Sequence, residues 1–282
     1  MSRPVVQAIL GIALLSAMDA IIKGAVARLP VLEIAFLRYL VGTAVMIVLL
    51  AIERPGWPSR EAIVANGLRA VIVVITATSF FYALGQLPLA EVLILSFISP
   101  AVTVVFASLI LGERIGPRVL ASLAAGFAGV ALIVWGGLSG GAGDRTSSLL
   151  GVAAVLVSAV GYSASNVLLR ARAQRDPLVT IVAIQNIGPA LILVGPAGWV
   201  WLPPSGSLWP ALIAIGALGV AGHLLLARAY AAAEAARLAA LDYTALIWAV
   251  LFGLVVFGEV PTLWAWCGAI LIVGSAWTIA RR

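Results

Sequence analysis

The chain has very little charge. Only 10% of its 282 residues are Asp, Glu, Lys or Arg, whereas 63% are hydrophobic, and the mean hydropathy is +1.16. A soluble domain carries about 25% charged residues. This sequence therefore cannot cover a globule with polar side chains, and it favours a protein that crosses a lipid bilayer many times.

Three chemically versatile residue types are almost absent. Cys267, His223 and Lys23 are each the single residue of their type. One cysteine excludes an intrachain disulfide and a cysteine-rich metal site, and one histidine leaves no HExxH zinc motif. The sequence also lacks a Walker-type nucleotide loop, so we expect no direct use of ATP, no metal and no cofactor.

Long apolar runs dominate the remaining sequence. They predict an all-α membrane protein with ten membrane-spanning helices, numbered here as spans 1 to 10. The spans cover residues 5–27, 31–51, 64–85, 89–111, 118–136, 150–170, 178–202, 208–229, 236–257 and 262–280. A Gly/Ser-rich connection, residues 136–148, predicts the joint between two halves, 1–138 and 148–282.

Arginine is distributed unevenly between the two sides of these spans. Thirteen arginines, Arg69 among them, fall on the side of the N-terminus, and only Arg28 and Arg145 fall on the other. The positive-inside rule therefore predicts that both termini are cytoplasmic. Because the arginines lie in short loops, the net charge of +6 does not indicate a nucleic-acid partner. An arginine-, alanine- and glycine-rich chain is typical of GC-rich bacteria, so we expect the bacterial inner membrane.

A Gly-Glu pair ends an apolar run twice, in LGER (111–114) and in FGEV (257–260). Each half holds five spans, and an odd number means that the second half is inserted upside down. Inverted repeats with a site at their interface are typical of secondary transporters. Locally, the glycine can end a helix in the left-handed conformation, and the glutamate can cap the next helix or contribute to a gate.

The segment YALGQLPLAEVLILSFISPAVTVVFASLILGER, residues 82–114, resembles the signature of the drug/metabolite transporter superfamily, in its EamA-type ten-helix branch. Its Ala83-Leu84 turn, Pro100 inside span 4 and Gly112-Glu113 carry the resemblance. The family implies two inverted five-helix repeats around a central cavity, lined mainly by spans 3, 4, 8 and 9. Among its bacterial members, the YddG-type amino-acid exporters are the most similar in character.

Charged side chains inside the spans are expensive and therefore candidate functional groups. Asp19 and Lys23 lie one turn apart on span 1 and could form an internal salt bridge, or meet a substrate or a coupling proton. Arg38 could pair with Asp19 or Glu33, or extend to the interface. Asp242, at the start of span 9, could cap a helix or attract an ammonium group.

Polar and aromatic residues on spans 3, 4 and 6 suggest a wet cavity, although single hydroxyls often bond their own helix. His223 could titrate and couple transport to protons, or stay neutral in the core. Pro100 predicts a hinge in span 4. The candidate substrate-binding residues are Ser79, Tyr82, Phe97, Ser99, Tyr162, Asn166, His223 and Trp248.

These observations predict a secondary transporter, monomeric or homodimeric, that exports small metabolites by alternating access. Neutral and aromatic amino acids are the preferred substrates, because aromatic residues are frequent among the cavity candidates. A drug carrier and a carrier of nucleotides or other metabolites of the same superfamily remain as alternatives. An intramembrane enzyme is disfavoured, because no nucleophile and base stand at a recognisable spacing.

Overall fold

The architecture was analysed in a computed structural model. The structure describes residues 3–99, 145–173, 175–232 and 244–280, together with positions 102–103, 105–106, 121, 124–125, 128–129, 131–132 and 135. Pro100, Gly112-Glu113 and Asp242, which the sequence marks as a hinge, a helix end and a candidate charge, lie outside these residues.

Long α-helices make up most of the described chain. Four of them belong to the first half and five to the second. They are α1 (Arg3–Val26), α2 (Val31–Glu53), α3 (Arg60–Gln86), α4 (Leu89–Ser96), α5 (Arg145–Ala173), α6 (Leu178–Trp199), α7 (Trp209–Ala232), α8 (Thr244–Phe257) and α9 (Leu263–Ala280). A short 3₁₀ turn, Gly206–Leu208, precedes α7.

Among the described residues, six helices are long and apolar enough to cross a membrane, namely α1, α2, α3, α5, α6 and α7, and α8 is a shorter apolar helix. The expectation of an all-α membrane protein is therefore confirmed. Several boundaries differ from the prediction. Residues 145–148, expected in the loop between the halves, already belong to α5, and α3 begins at Arg60, four residues before the predicted start of span 3. The regular helix of α4 ends at Ser96, inside predicted span 4.

Local sequence explains where several helices begin and end. Pro30, Pro88 and Pro177 each precede the first residue of a helix, where the fixed φ of proline suits the turn into the helix. Ser59 caps α3, since its hydroxyl accepts a hydrogen bond from the amide of Ala62. Gly258 ends α8 with φ +66, the left-handed conformation that the sequence predicted for this glycine.

The closely packed helix pairs are symmetric with respect to the two halves of the chain. In the predicted numbering α1 and α7 are spans 1 and 8, whereas α3 and α5 are spans 3 and 6. Span 1 corresponds to span 6 in the other half, and span 8 corresponds to span 3. Exchanging each span for its counterpart therefore converts the first pair into the second. Both pairs are closely packed, and α2 packs on its own counterpart, α6. This pattern is what two repeats related by a two-fold axis produce.

Glycines let the backbones of these pairs approach closely. A Cβ at Gly222 of α7 would lie 2.7 Å from Leu15 Cγ and 3.1 Å from the carbonyl oxygen of Gly11, both on α1. A Cβ at Gly151 of α5 would lie 2.9 Å from Leu87 Cγ, directly after α3. Small residues at such contacts are the usual means by which membrane helices associate.

The regular helix of α4 breaks one turn before Pro100. Phe97 and Ile98 form tight turns, donating their amides to Ile94 and Leu95, and the chain is helical again at Ser99. A proline has no amide hydrogen, so the carbonyl of Ser96 lacks its regular partner at position 100. The Ser99 hydroxyl donates to that carbonyl instead.

Candidate functional site

A cavity of about 260 Å³ lies between the two halves. Side chains from α1 to α8 line it, so the two repeats contribute jointly. Its apolar wall includes Phe80, Phe81, Phe97 and Leu226, and its polar lining includes Asp19, Arg38, Tyr39, Arg69, Ser99, Tyr162, Asn166, Gln185 and His223. A mostly apolar concave site with a few convergent polar groups is the usual form of a small-molecule site.

Arg38 of α2 is buried at 6% exposure and lines this cavity. Its Nε donates to the sulfur of Met18 at 3.4 Å, a weak acceptor, and its guanidinium lies 4.3 Å from the ring centre of Tyr39. Its Nη1 has no hydrogen-bond partner among the described residues. The guanidinium is therefore held in place, and no described carboxylate forms an ion pair with it within 4.0 Å.

Asp19 of α1 and His223 of α7 face the same cavity. Asp19 forms no ion pair within 4.0 Å with any described basic side chain, although it interacts electrostatically with Arg38. His223 Nδ1 lies 2.7 Å from the carbonyl oxygen of Gly219. Because a carbonyl only accepts, Nδ1 carries a proton, and Nε2 is left to interact with other groups.

Arg69 of α3 is the second buried guanidinium of the cavity, at 4% exposure. Its Nε donates to the hydroxyl and the carbonyl of Ser165 at 2.9 and 3.1 Å, and its Nη2 donates to Gln185 Oε1 at 3.0 Å. These partners are neutral. Arg69 thus ties α3 to α5 and α6 while its positive charge stays in the cavity.

Lys23 is the centre of a polar junction between helix ends. Its Nζ lies 3.0 Å from Glu259 Oε1 and donates to the carbonyls of Leu84 and Leu87 at 3.1 and 2.7 Å. The other carboxylate oxygen of Glu259 accepts the amide of Leu89 at 2.9 Å. These contacts join the ends of α1, α3 and α8 to the start of α4.

The order of residues along three helices places this junction beyond the cavity. On α1 the lining stops at Asp19, one turn before Lys23; on α3 it stops at Phe81, before Leu84. On α4 it begins at Leu93, one turn after Leu89. We call this side of the protein the Lys23 end.

A second polar cluster lies at the opposite side, the Arg172 end. Arg172, in the last turn of α5, donates to both carboxylate oxygens of Asp176 at 2.9 and 3.0 Å and also binds Glu61 of α3. Asn66 donates to Asp176 at 3.3 Å. The cluster anchors the connection between α5 and α6 to the first turns of α3.

Comparison with known proteins decides the family. The model of the "EamA-like transporter family" matches residues 3–135 and again residues 149–281. The chain belongs to the EamA-like transporter family. Two matches in one chain agree with the two inverted repeats of a ten-helix membrane protein, which confirms the predicted fold class.

The EamA relatives transport different molecules. The chain is 30% identical over 281 residues to the "Pseudopaline exporter CntI" of Pseudomonas aeruginosa, which covers 98% of this chain and 95% of that protein. It is 30% identical over 221 residues to the "Riboflavin transporter" of Rhizobium johnstonii, covering 76% and 69%. A solved crystal structure superposes with a TM-score of 0.68 at 23% identity, covering 98% and 96%, and so shows the same fold.

Most of the candidate substrate-binding residues predicted from this sequence lie together in the cavity lining. Phe97, Ser99, Tyr162, Asn166 and His223 line the cavity with the charged candidates Asp19 and Arg38. The cavity lining does not include Ser79, Tyr82 or Trp248. Tyr82 is 36% exposed, and the Trp248 ring stacks on Phe252 with centroids 6.2 Å apart. These three side chains lie outside the cavity lining in this structure, so their part in substrate binding stays a prediction.

The positions of Ser79 and Tyr82 outside the cavity lining have a geometric cause on α3. Thr76, Ser79 and Tyr82 are spaced by three, and each step of three falls about 60° short of a full turn. The stripe therefore winds away from the cavity, which Arg69, Val73, Thr76, Ala77 and Phe80 face with mixed spacings of three and four.

The expected pairings of charge also need correction. Lys23 pairs with Glu259, not with Asp19. Glu33 accepts the amide of Leu202 at 2.9 Å and is not the partner of Arg38. Glu259 was expected to cap the following helix, but Thr262 accepts the amide of Ala265 there, while Glu259 reaches the start of α4.

Arg69 was counted with the loop arginines and is instead a buried cavity residue. The sequence held a signal for it, since position 69 lies inside predicted span 3 and an intramembrane cation is a candidate by default. Tyr39 and Gln185, also in the cavity, carried no such signal because neither is charged.

Proposed function

We propose that this transporter exports small metabolites of the amino-acid type, preferentially neutral and aromatic amino acids, by alternating access. The observation that supports this is a cavity that presents one carboxylate, on Asp19, and two guanidiniums, on Arg38 and Arg69, between aromatic walls. A free amino acid carries both charges close together and an apolar side chain. Each part of it meets a complementary surface, so its desolvation is compensated.

The size of the cavity favours a small substrate. A volume of about 260 Å³ is below the range of roughly 300–1,000 Å³ that drug-sized ligands occupy. A nucleotide would bring several negative charges next to Asp19, and a cationic drug would lie next to two guanidiniums. Both alternatives are therefore less well matched than a zwitterion.

The arginine distribution and the Lys23 junction together support a proposed direction of transport. We place the Arg172 end in the cytoplasm, with both termini, in a bacterial inner membrane. The Lys23 end then faces outward and is closed by Lys23 and Glu259. In this arrangement substrate loads from the cytoplasm and leaves when the Lys23 junction opens. The export recorded in the name of the Pseudomonas relative supports this direction.

Counterflow in liposomes tests the proposal. Purified protein is reconstituted, one unlabelled amino acid at a time is loaded inside, and the entry of the same labelled amino acid is followed, with protein-free liposomes as control. We expect transient accumulation for several neutral and aromatic amino acids. Chromatography of the recovered label should show an unchanged compound, as transport without chemistry requires. Accumulation of a nucleotide or a cationic drug, with none of any amino acid, would replace this proposal.

A further inference from the structure

Arg38 holds a hydrogen-bond donor for which the described protein offers no acceptor. Its Nη1 is buried and unbonded, in a side chain that is 6% exposed and borders the cavity. A buried charge without a partner is costly, so an arginine in this position is normally paired with an anion. We propose that the guanidinium of Arg38 binds the carboxylate of the transported metabolite and that Asp19 binds its ammonium group. This inference rests on the proposed function and names the two groups that read its substrate.

The other buried arginines differ from Arg38 in this respect. Arg172 is engaged by the carboxylates of Asp176 and Glu61. Arg69 uses its Nε and Nη2 on Ser165 and Gln185. Among the described residues, the guanidinium of Arg38 contacts the Met18 sulfur and the Tyr39 side chain. Neither partner is an anion, so no carboxylate among the described residues forms an ion pair with Arg38.

The guanidinium is also held in one orientation. A Cβ at Gly219 of α7 would lie 3.3 Å from both Nε and Nη2 of Arg38 and 3.1 Å from the Met18 sulfur. Glycine at 219 therefore lets α7 pack directly against this face of the guanidinium, while the Tyr39 ring covers it from α2. A donor fixed in this way binds a planar carboxylate with little loss of side-chain entropy.

Asp19 supplies the opposite charge at a useful separation. It lines the same cavity and interacts electrostatically with Arg38, yet the two side chains form no ion pair within 4.0 Å. A direct salt bridge would satisfy both groups and leave nothing for a substrate. Two separated charges of opposite sign match a ligand whose ammonium and carboxylate are on the same carbon.

Three ligands with the same carbon skeleton separate the contribution of Arg38 from that of Asp19. Leucine carries both charges, leucinamide lacks the carboxylate, and 4-methylpentanoate lacks the ammonium group. In the wild-type protein leucine should compete best for counterflow. In Arg38→Gln the preference for leucine over leucinamide should fall by roughly 10- to 100-fold, the value of a hydrogen bond to a charged group. In Asp19→Asn the preference for leucine over 4-methylpentanoate should fall similarly.

Two further variants make the result interpretable. Arg38→Lys keeps the charge but not the planar fork, so it should recover part of the leucine preference and confirm that the position tolerates change. Arg175→Gln removes a positive charge that is 72% exposed at the Arg172 end and should change neither ratio. Counterflow of leucine by Arg38→Gln with an unchanged ratio to leucinamide would overturn the Arg38 assignment while leaving the proposed function intact.

A binding measurement covers the case in which the proposed function itself fails. The thermal stability of the purified wild-type protein is recorded with 4-methylpentanoate, leucinamide and leucine, independently of transport. Stabilisation by the carboxylate that disappears in Arg38→Gln would support the subsite even if no amino acid is transported. No carboxylate-dependent stabilisation in a well-folded wild-type protein would overturn it.

Discussion

The ammonium nitrogen of Lys23 lies 3.0 Å from Glu259 Oε1, and the other oxygen of that carboxylate accepts the amide of Leu89 at 2.9 Å. One residue from each half of the protein thus meets at the Lys23 end. Lys23 also donates to the carbonyls of Leu84, in the last turn of α3, and Leu87, directly after α3, so the junction involves four helices. Any movement that opens this end has to break these contacts together.

Glu259→Gln should loosen the Lys23 end. A neutral amide can still accept from Leu89, but it loses the ion pair with Lys23, so the closed state becomes less stable. Ser96 lines the cavity, so Ser96→Cys in a Cys267→Ala background would report the opening of this end. The readout is the reaction of the new thiol with a membrane-impermeant reagent added from the Lys23 side. We expect labelling to be roughly ten-fold faster than in the parent.

Glu53→Gln is the matched control, because Glu53 is an exposed glutamate at the end of α2. It should label at the parental rate. Equal rates in Glu259→Gln and the parent would mean that the ion pair does not hold the Lys23 end closed.

Gly219→Ala should disturb the cavity by displacing the side chains that pack against position 219. The new methyl group would meet Arg38 and Met18 at 3.3 and 3.1 Å, so both side chains must shift. We expect a loss of roughly 1–3 kcal/mol in stability, typical of overpacking, and weaker counterflow of amino acids.

Gly195→Ala in α6 provides the comparison, since nothing lies within 4 Å of a Cβ there. It should leave counterflow unchanged and be neutral or slightly stabilising. Similar behaviour of the two variants in melting and transport assays would argue against close packing of α7 on Arg38.

His223→Asn separates the two nitrogens of the imidazole. The asparagine amide can replace Nδ1 as the donor to the Gly219 carbonyl, but nothing replaces Nε2. If Nε2 contacts the substrate, the half-saturating concentration in counterflow should rise about 2- to 12-fold, the range of a single neutral hydrogen bond. Melting curves serve as the control for folding. Unchanged half-saturation would assign His223 a purely structural role.

Asp176→Asn should destabilise the Arg172 end more than Glu61→Gln does. The Asp176 side chain is 8% exposed and binds Arg172 with both oxygens, whereas that of Glu61 is 72% exposed. Solvent screens an exposed pair and leaves it little net effect. Melting of the detergent-solubilised variants in parallel would test this, and equal shifts would contradict the ranking.

Much of the fold could be predicted from the apolar runs, because a membrane span needs about 20 apolar residues and little else produces such runs. The break of α4 after Ser96 was harder to place. Pro100 indicated a hinge, but the tight turns at Phe97 and Ile98 depend on how the serine hydroxyls satisfy the local carbonyls. Sequence periodicity carries no information about such local competition.

The site was predictable where the signal was charge in an apolar span, as for Asp19 and Arg38. The partners of the charged residues were not predictable, because they come from distant parts of the chain. Lys23 and Glu259 belong to opposite halves, and the nearer acid, Asp19, was the natural expectation for a residue one turn away. Only the packing of α1 against α8 brings the true partner within reach.

The closed junction also gives the protein an internal chemical reporter. Lys23 is the single lysine of the chain, and its side chain is 12% exposed and held by a carboxylate and two carbonyls. A free amine attacks acylating reagents, so the ε-amine should become reactive only when the junction opens. Apart from the terminal α-amine, the extent of acylation would therefore measure how many molecules have opened at the Lys23 end, without any engineered label.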